Sequence, residues 1–322
     1  MKKNTFLFVA IILFLFGCSH KETQNQEEEE TPVFHNVKMD VEDLTHSFEN
    51  PETKQKFKIV DAYKLYNSYI EKAEQNPKEL TRIYKEEILD PVYNSCFRDA
   101  EHIHLFNEFL YQPPSNFTEL KNVVGMMNTN FSIEVVEEAL TQSSNLLTSE
   151  IETNVCIFPT TVLTGSPMIN AGAGKIIVFY NKNYTDDVLQ AGLAHEYHHS
   201  VWTERHIKEQ PSFTVLDNLV FEGKAVMFEK TVFPNVNFTR VDPRYIKTYW
   251  DKIEPDLGKY DINRSLEILV GGKELPQLYG YSEGYKMVKS YLELNPNMTP
   301  DEWTGINTKE IFEKGNYIDN FQ

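Results

Sequence analysis

A chain of 322 residues with a formal net charge of −17 is a poor partner for nucleic acid or an anionic membrane surface, since both would repel it. The same acidity weakly favours cationic or neutral peptides, an attraction that salt screens. Of the three cysteines, Cys18 stands directly after an N-terminal leader and two lie in the body of the chain.

Residues 1–17 read as an export signal rather than as fold. Lys2 and Lys3 form a basic start, Phe6 to Phe16 an apolar run, and Leu15-Phe16-Gly17-Cys18 a lipobox. The run is too short to span a bilayer comfortably as a mature helix. The expectation is cleavage before Cys18 and lipidation there. An ordinary signal peptide or an uncleaved anchor is the alternative. The chain would then be a bacterial lipoprotein, lipid-anchored on the extracytoplasmic side of the cell membrane. Residues 18–50 begin as an acidic tether, with Glu22 and Glu27 to Glu30 in a polar stretch expected to be disordered. The end of that stretch, 33–50, carries no clear pattern.

Residues 51–150 read as a helical N-terminal region. Ile59, Ala62, Tyr63, Tyr66 and Ile70 predict a helix over 59–76 that stops before Pro77. Further helices are expected at 78–89, 91–111, 116–126 and 132–147, with Pro113-Pro114 as a break. This half shows no chemistry of its own and should serve as a wall or lid. Residues 151–322 read as the catalytic domain. Asn154 to Pro159 and Lys175 to Tyr180 are predicted strands, and Leu163 to Gly174, rich in Gly, Ser, Pro and Asn, a loop that shapes one lip of a cleft. Cys96 and Cys156 either form a disulfide or stay as two buried thiols; neither has ligand spacing with another cysteine.

A long helix follows. Thr185 is its expected N-cap, and Asp186 and Asp187 suit its positive end. Leu189, Leu193, Tyr197 and Val201 recur every fourth residue, and Arg205, His206 and Lys208 supply positive charge at the far end. In its middle stands His195-Glu196-Tyr197-His198-His199. Positions i and i+4 of a helix share a face, so His195 and His199 can ligate one metal ion, and Glu196 can act as a general base toward a water there. A second helix is predicted from Val215, Leu219, Val226 and their neighbours. It carries Glu222 within an apolar stretch, where an ionised carboxylate is costly unless paired or metal-bound. His195, His199 and Glu222 are therefore the expected Zn2+ ligands. His198 competes within the motif, and Glu229, two turns after Glu222, is the rival third ligand. Segments at 243–253 and 308–314 are helix-like. Tyr281 and Tyr285 begin another helical run through Leu292, and Tyr281 is the candidate donor to the oxyanion of a hydrolysis intermediate; otherwise both tyrosines simply pack.

These residues resemble the gluzincins, metallopeptidases with H-E-x-x-H and a glutamate on the next helix. More narrowly, the chain is similar to a bacterial domain family described as predicted zinc-dependent proteases. The shared segments are Ala194-His195-Glu196-Tyr197-His198-His199, Glu222-Gly223-Lys224-Ala225 and Gly280-Tyr281-Ser282-Glu283-Gly284-Tyr285, in that order. The resemblance covers about residues 120–315. It implies an α+β, mostly helical, zincin-like fold with a small sheet and an active-site helix. It also departs from pattern. Gluzincins often carry an acid one turn after the glutamate ligand, where this chain has Val226, and Ser282 and Glu283 stand at usually small or apolar positions. The expected activity is zinc-dependent hydrolysis of peptide bonds in a peptide or protein substrate. A non-catalytic metal-binding lipoprotein that captures peptides or a partner protein is the alternative, and hydrolysis of a non-peptide amide a third.

Overall fold

The computed structural model describes residues 41–163, 168–272 and 274–321. The expected leader, Cys18 and most of the tether lie outside the described residues. The chain enters through strand β1 (Thr45–Glu49), in the stretch whose sequence carries no clear pattern, and turns into β2 (Lys56–Val60). Ile59 and Val60 thus end a strand; the predicted helix over 59–76 is corrected to α1 (Tyr66–Gln75), preceded by a 3-10 turn at Ala62–Leu65. Helices α2 (Leu80–Tyr84), α3 (Asp90–Cys96), α4 (Asn107–Tyr111), α5 (Phe117–Asn130) and α6 (Ile133–Leu146) follow. The single helix expected over 91–111 is broken, because the chain turns at Phe97–Ala100, where Asp99 takes a positive φ of 57°.

Next come β3 (Thr153–Pro159), β4 (Met168–Gly172) and β5 (Lys175–Tyr180). The expected loop over 163–174 therefore contains a strand. The sheet order is β1-β2-β3-β5-β4, with β2, β3 and β5 parallel and both outer strands antiparallel to their neighbours. Side chains on successive strand residues point to opposite faces. Phe57, Ile59, Val155, Ile157, Ile176 and Val178 accordingly pack with α5, α6 and the next helix, α7 (Asp186–His206). Val60, Cys156, Phe158 and Ile177 face the other way, into a core built from α1 to α5. The fold is mostly helical α+β, as expected. The sheet joins strands from both sides of residue 150.

The C-terminal part is helical: α8 (Val215–Val232), α9 (Lys247–Ile253), α10 (Ile262–Val270), α11 (Tyr279–Leu294), α12 (Pro300–Thr304) and α13 (Thr308–Lys314). Among the described residues no helix is long and apolar enough to cross a membrane. Cys96 and Cys156 form a disulfide that ties α3 to β3 across 60 residues of chain. Closing such a loop restricts the unfolded chain and is worth about 4 kcal/mol in the entropic account.

Helices α8 and α11 meet backbone to backbone. A Cβ on Gly223 would stand 2.1 Å from the carbonyl carbon of Gly284, and one on Gly284 would stand 1.9 Å from the carbonyl oxygen of Leu219. The E-G-x-A and G-Y-x-x-G-Y segments are therefore two halves of one helix contact. Gly284→Ala should force the helices apart and lower unfolding free energy by about 2 kcal/mol or more. Urea denaturation checks this, and an unchanged midpoint and slope would refute the contact.

Candidate metal centre

Helix α7 begins where its sequence says it should. The Thr185 hydroxyl accepts a hydrogen bond from the Val188 N–H at 3.3 Å, and Asp186 and Asp187 occupy the first turn. Helix α8 starts at a reciprocal cap, in which Thr214 accepts from the Asp217 N–H and Asp217 from that of Thr214. The two helices pack so that His195 and His199 of α7 face Glu222 of α8.

Three donor atoms converge. His195 Nε2 lies 3.2 Å from His199 Nε2, and each lies 3.3 Å from Glu222 Oε2. These residues form the group of potential metal ligands found among the described residues. All three are at least 96% buried; Glu222 is 1% exposed. One proton can bridge only one pair of such atoms at a time, so protons alone cannot join all three donors at once, as a single cation could. Two ligands of one tetrahedral zinc, at bonds of about 2.0–2.1 Å, stand about 3.3 Å apart. Donor type, spacing and burial all fit a zinc ion.

The charges around the triangle explain the titration of its members. Burial pushes the Glu222 carboxyl up, but His199 and His195 outweigh it and hold it down at about 2. Burial disfavours a charged His195, yet hydrogen bonds to Glu222 and Glu229 raise it to about 10. Burial lifts Glu196 to about 8, with the Glu222 and Glu229 carboxylates adding to it; His195 and the Asn170 N–H pull the other way. Glu196 can thus hold or release a proton near neutral pH, as a general acid–base group must.

Asn170 is a residue the sequence did not flag. Its backbone N–H donates to Glu196 Oε2 at 2.7 Å, so the edge strand β4 fixes one carboxylate oxygen. Gln55 is another. The Tyr197 hydroxyl lies 2.6 Å from Gln55 Oε1 and 2.7 Å from the Leu147 carbonyl, which locks α7 to the segment before β2 and to the end of α6.

Glu229 does not join the donor triangle. Its Oε2 accepts from His195 Nδ1 at 3.0 Å, which sets the ring and leaves Nε2 free to face Glu222. The acid expected one turn after Glu222 is replaced by a buried apolar Val226, and the job falls to an acid two turns on. The sequence showed Glu229 on the right face, but it could not show that α8 runs past His195. His198 also stays out. It is fully buried, its ring stacks on Trp303 at 5.6 Å, and Nε2 faces the Thr304 hydroxyl at 3.3 Å. Burial, with His199 and Lys224 nearby, holds it well below its ordinary pKa, so it packs as a neutral ring.

Tyr281 is 4% exposed, with its ring 6.4 Å from that of His195. Burial and then the Glu222, Glu196 and Glu229 carboxylates push its phenol well above the usual range, so it stays a proton donor. Tyr285 is half-buried in the C-terminal core. Phe221 of α8 stacks on His199 at 4.2 Å.

A family model described as "Predicted Zn-dependent protease (DUF2268)" matches residues 133–313, more than half of the chain, and the chain belongs to that family. Among individual proteins it is similar to the "Uncharacterized protein YjaZ" of Bacillus subtilis (strain 168), 27% identical over 136 residues. That match covers 39% of this chain and 51% of the relative, so it spans about half of that protein's length. No solved structure matches.

Glu229→Gln should keep the fold and weaken zinc binding roughly 10- to 100-fold, as loss of a carboxylate behind a ligating histidine does. Competition against a chelator of known affinity measures this. Equal affinity in both proteins would rule out the orienting role.

Proposed function

We propose that this protein is a zinc-dependent metallopeptidase with a zincin-like catalytic region, anchored outside the cytoplasmic membrane through lipid on Cys18. The observation that carries the reading is the buried triangle of His195, His199 and Glu222 with Glu196 beside it. Those three residues would hold the ion. An ion bound there would supply Lewis-acid polarisation of a peptide carbonyl and lower the pKa of a nearby water toward neutrality. Glu196 Oε2 is engaged by Asn170, so proton transfer falls to the other carboxylate oxygen. That oxygen takes the proton of the attacking water and delivers it to the nitrogen of the leaving amine. The Tyr281 phenol donates to the carbonyl oxygen as it gains negative charge. Glu229 holds His195 in one tautomer throughout.

The family description supports zinc-dependent proteolysis, and the Cys96–Cys156 disulfide supports an oxidising, exported location. The acidic chain favours a peptide or protein substrate over nucleic acid. Glu196 beside the triangle, with one oxygen held by the Asn170 N–H, favours turnover over simple capture of a partner, which would need no group to move a proton.

Elemental mass spectrometry on wild type, His199→Ala and Glu196→Gln should find zinc in the first and third but not the second. Glu196→Gln should lower peptide hydrolysis by about 10²- to 10⁴-fold or more. No metal in wild type after zinc is supplied would overturn the reading; full hydrolysis by Glu196→Gln would overturn the mechanism. Tyr281→Phe should keep its zinc and lower kcat by about 10²- to 10³-fold. An unchanged kcat would return Tyr281 to packing alone.

A further inference from the structure

The catalytic residues are shut away. His195, His199, Glu222, Glu196 and Tyr281 are each 6% exposed or less, so little of their surface meets solvent in this conformation. Three side chains bound the closure. Tyr184, from the turn between β5 and α7, stacks on Tyr180, and burial, with the Glu196 carboxylate adding to it, raises its phenol well above the usual range. Met168 comes from β4. Phe238 comes from the segment 233–246, which joins α8 to α9 and contains no helix or strand; its ring lies 6.3 Å from that of His195. Phe238 and Met168 meet over Gly192, one turn before His195. A Cβ there would stand 3.1 Å from Phe238 Cζ and 2.6 Å from Met168 Cε.

Met168 is borne by the sheet, and Tyr184 by the short turn that leaves it for α7. The strap 233–246 belongs to neither. Its far end is moored to α11, where Ser282 Oγ accepts from the Asp242 N–H at 3.0 Å and Lys286 donates to the Arg244 carbonyl. Its near end follows directly from α8. Pro234 and Pro243 stiffen the two ends. Between them Pro234, Asn235, Asn237 and Arg240 are exposed, Val236 and Phe238 half-buried, and Thr239 buried. Thr239 is the polar latch. Its N–H donates to Glu229 Oε1 at 2.9 Å and its hydroxyl to Glu229 Oε2 at 2.8 Å, while Lys230 donates to its carbonyl. Glu229 Oε2 is also the acceptor for His195 Nδ1.

We propose that the strap 233–246 is the gate through which substrate reaches the centre, and that Thr239 is a positioning residue which, through Glu229, couples gate closure to the setting of His195. The gate lifts between its two stiff ends, carrying Phe238 off His195. Lifting strips Glu229 of both Thr239 donors, so the carboxylate that orients His195 is fully supported only when the gate is shut. Closure then both shuts out bulk solvent, keeping the attacking water, and completes the site. A substrate segment must be thin enough to pass under a raised strap, which selects extended, unfolded polypeptide over a folded surface.

The proposal rests on the zinc peptidase reading, and its test separates the two. Amide hydrogen exchange is measured on the metal-free chain for wild type, Thr239→Val, Thr239→Ser and Phe238→Ala. Zinc-loaded samples of the same four are then stripped with a chelator. Thr239→Val and Phe238→Ala should speed exchange of amides 235–240 at least about five-fold, with α8 and α11 unchanged. They should speed zinc withdrawal by a similar factor, and Thr239→Ser should restore both rates. Wild-type exchange at 235–240 in both variants overturns the gate. Faster exchange with unchanged zinc withdrawal overturns the coupling to His195. If wild type binds no zinc, the peptidase reading falls, and the exchange pattern alone still decides whether the strap opens.

Discussion

The site depends on a contact that has no side chains in it. Gly223 of α8 and Gly284 of α11 touch through their backbones, and that closeness brings Glu222 and Tyr281 to the same point. Glu222 precedes Gly223 by one residue, and Tyr281 lies one turn before Gly284. A methyl group at either glycine would separate the helices by more than the tolerance of a metal site, in which ligand distances are set within a few tenths of an ångström. The two motifs are far apart in sequence because they are two sides of one interface.

With α7 packed against α8, three carboxylates, Glu196, Glu222 and Glu229, come together in a buried space. Buried carboxylates either bind protons, find donors or meet a cation. Each of these three has a different solution. Glu229 is satisfied by His195, Thr239 and the nearby Lys230 ammonium at 3.6 Å. Glu196 has a single backbone N–H and a raised pKa. Glu222 stays ionised against two imidazoles. The same kind of side chain thus becomes an orienting group, a proton carrier and a candidate ligand according to the donors around it.

Much of this was legible in the sequence, and the reason is local. Thr185, Asp186 and Asp187 announce α7, and a four-residue apolar rhythm carries it to His206. The histidine pair needs only helix geometry to share a face. What failed needed partners distant in sequence. Met168–Gly172 is a strand although its Asn, Ala and Gly look like loop, because β5 supplies the hydrogen bonds and the register. Ile59 fits a helical rhythm with Ala62, Tyr63, Tyr66 and Ile70, and only pairing with β1 and β3 makes it strand. The disulfide required knowing that α3 packs on β3. The spacing puts Glu229 on the same face as Glu222 and makes it only the rival ligand; its contact with His195 Nδ1 depends on how α8 lies along α7.

The sheet also sets the limits of what can stand alone. The family match begins at residue 133, yet β1 and β2 close one side of the sheet from residues 45–60, and Gln55 bonds the tyrosine in the middle of the histidine motif. A chain trimmed to the matched region would expose the hydrogen-bonding edge of β3 and the apolar side chains that Phe57 and Ile59 cover. An open, apolar edge recruits other strands. Autonomy in this protein therefore belongs to the sheet as a whole, and the matched region is a unit of ancestry rather than a unit of folding.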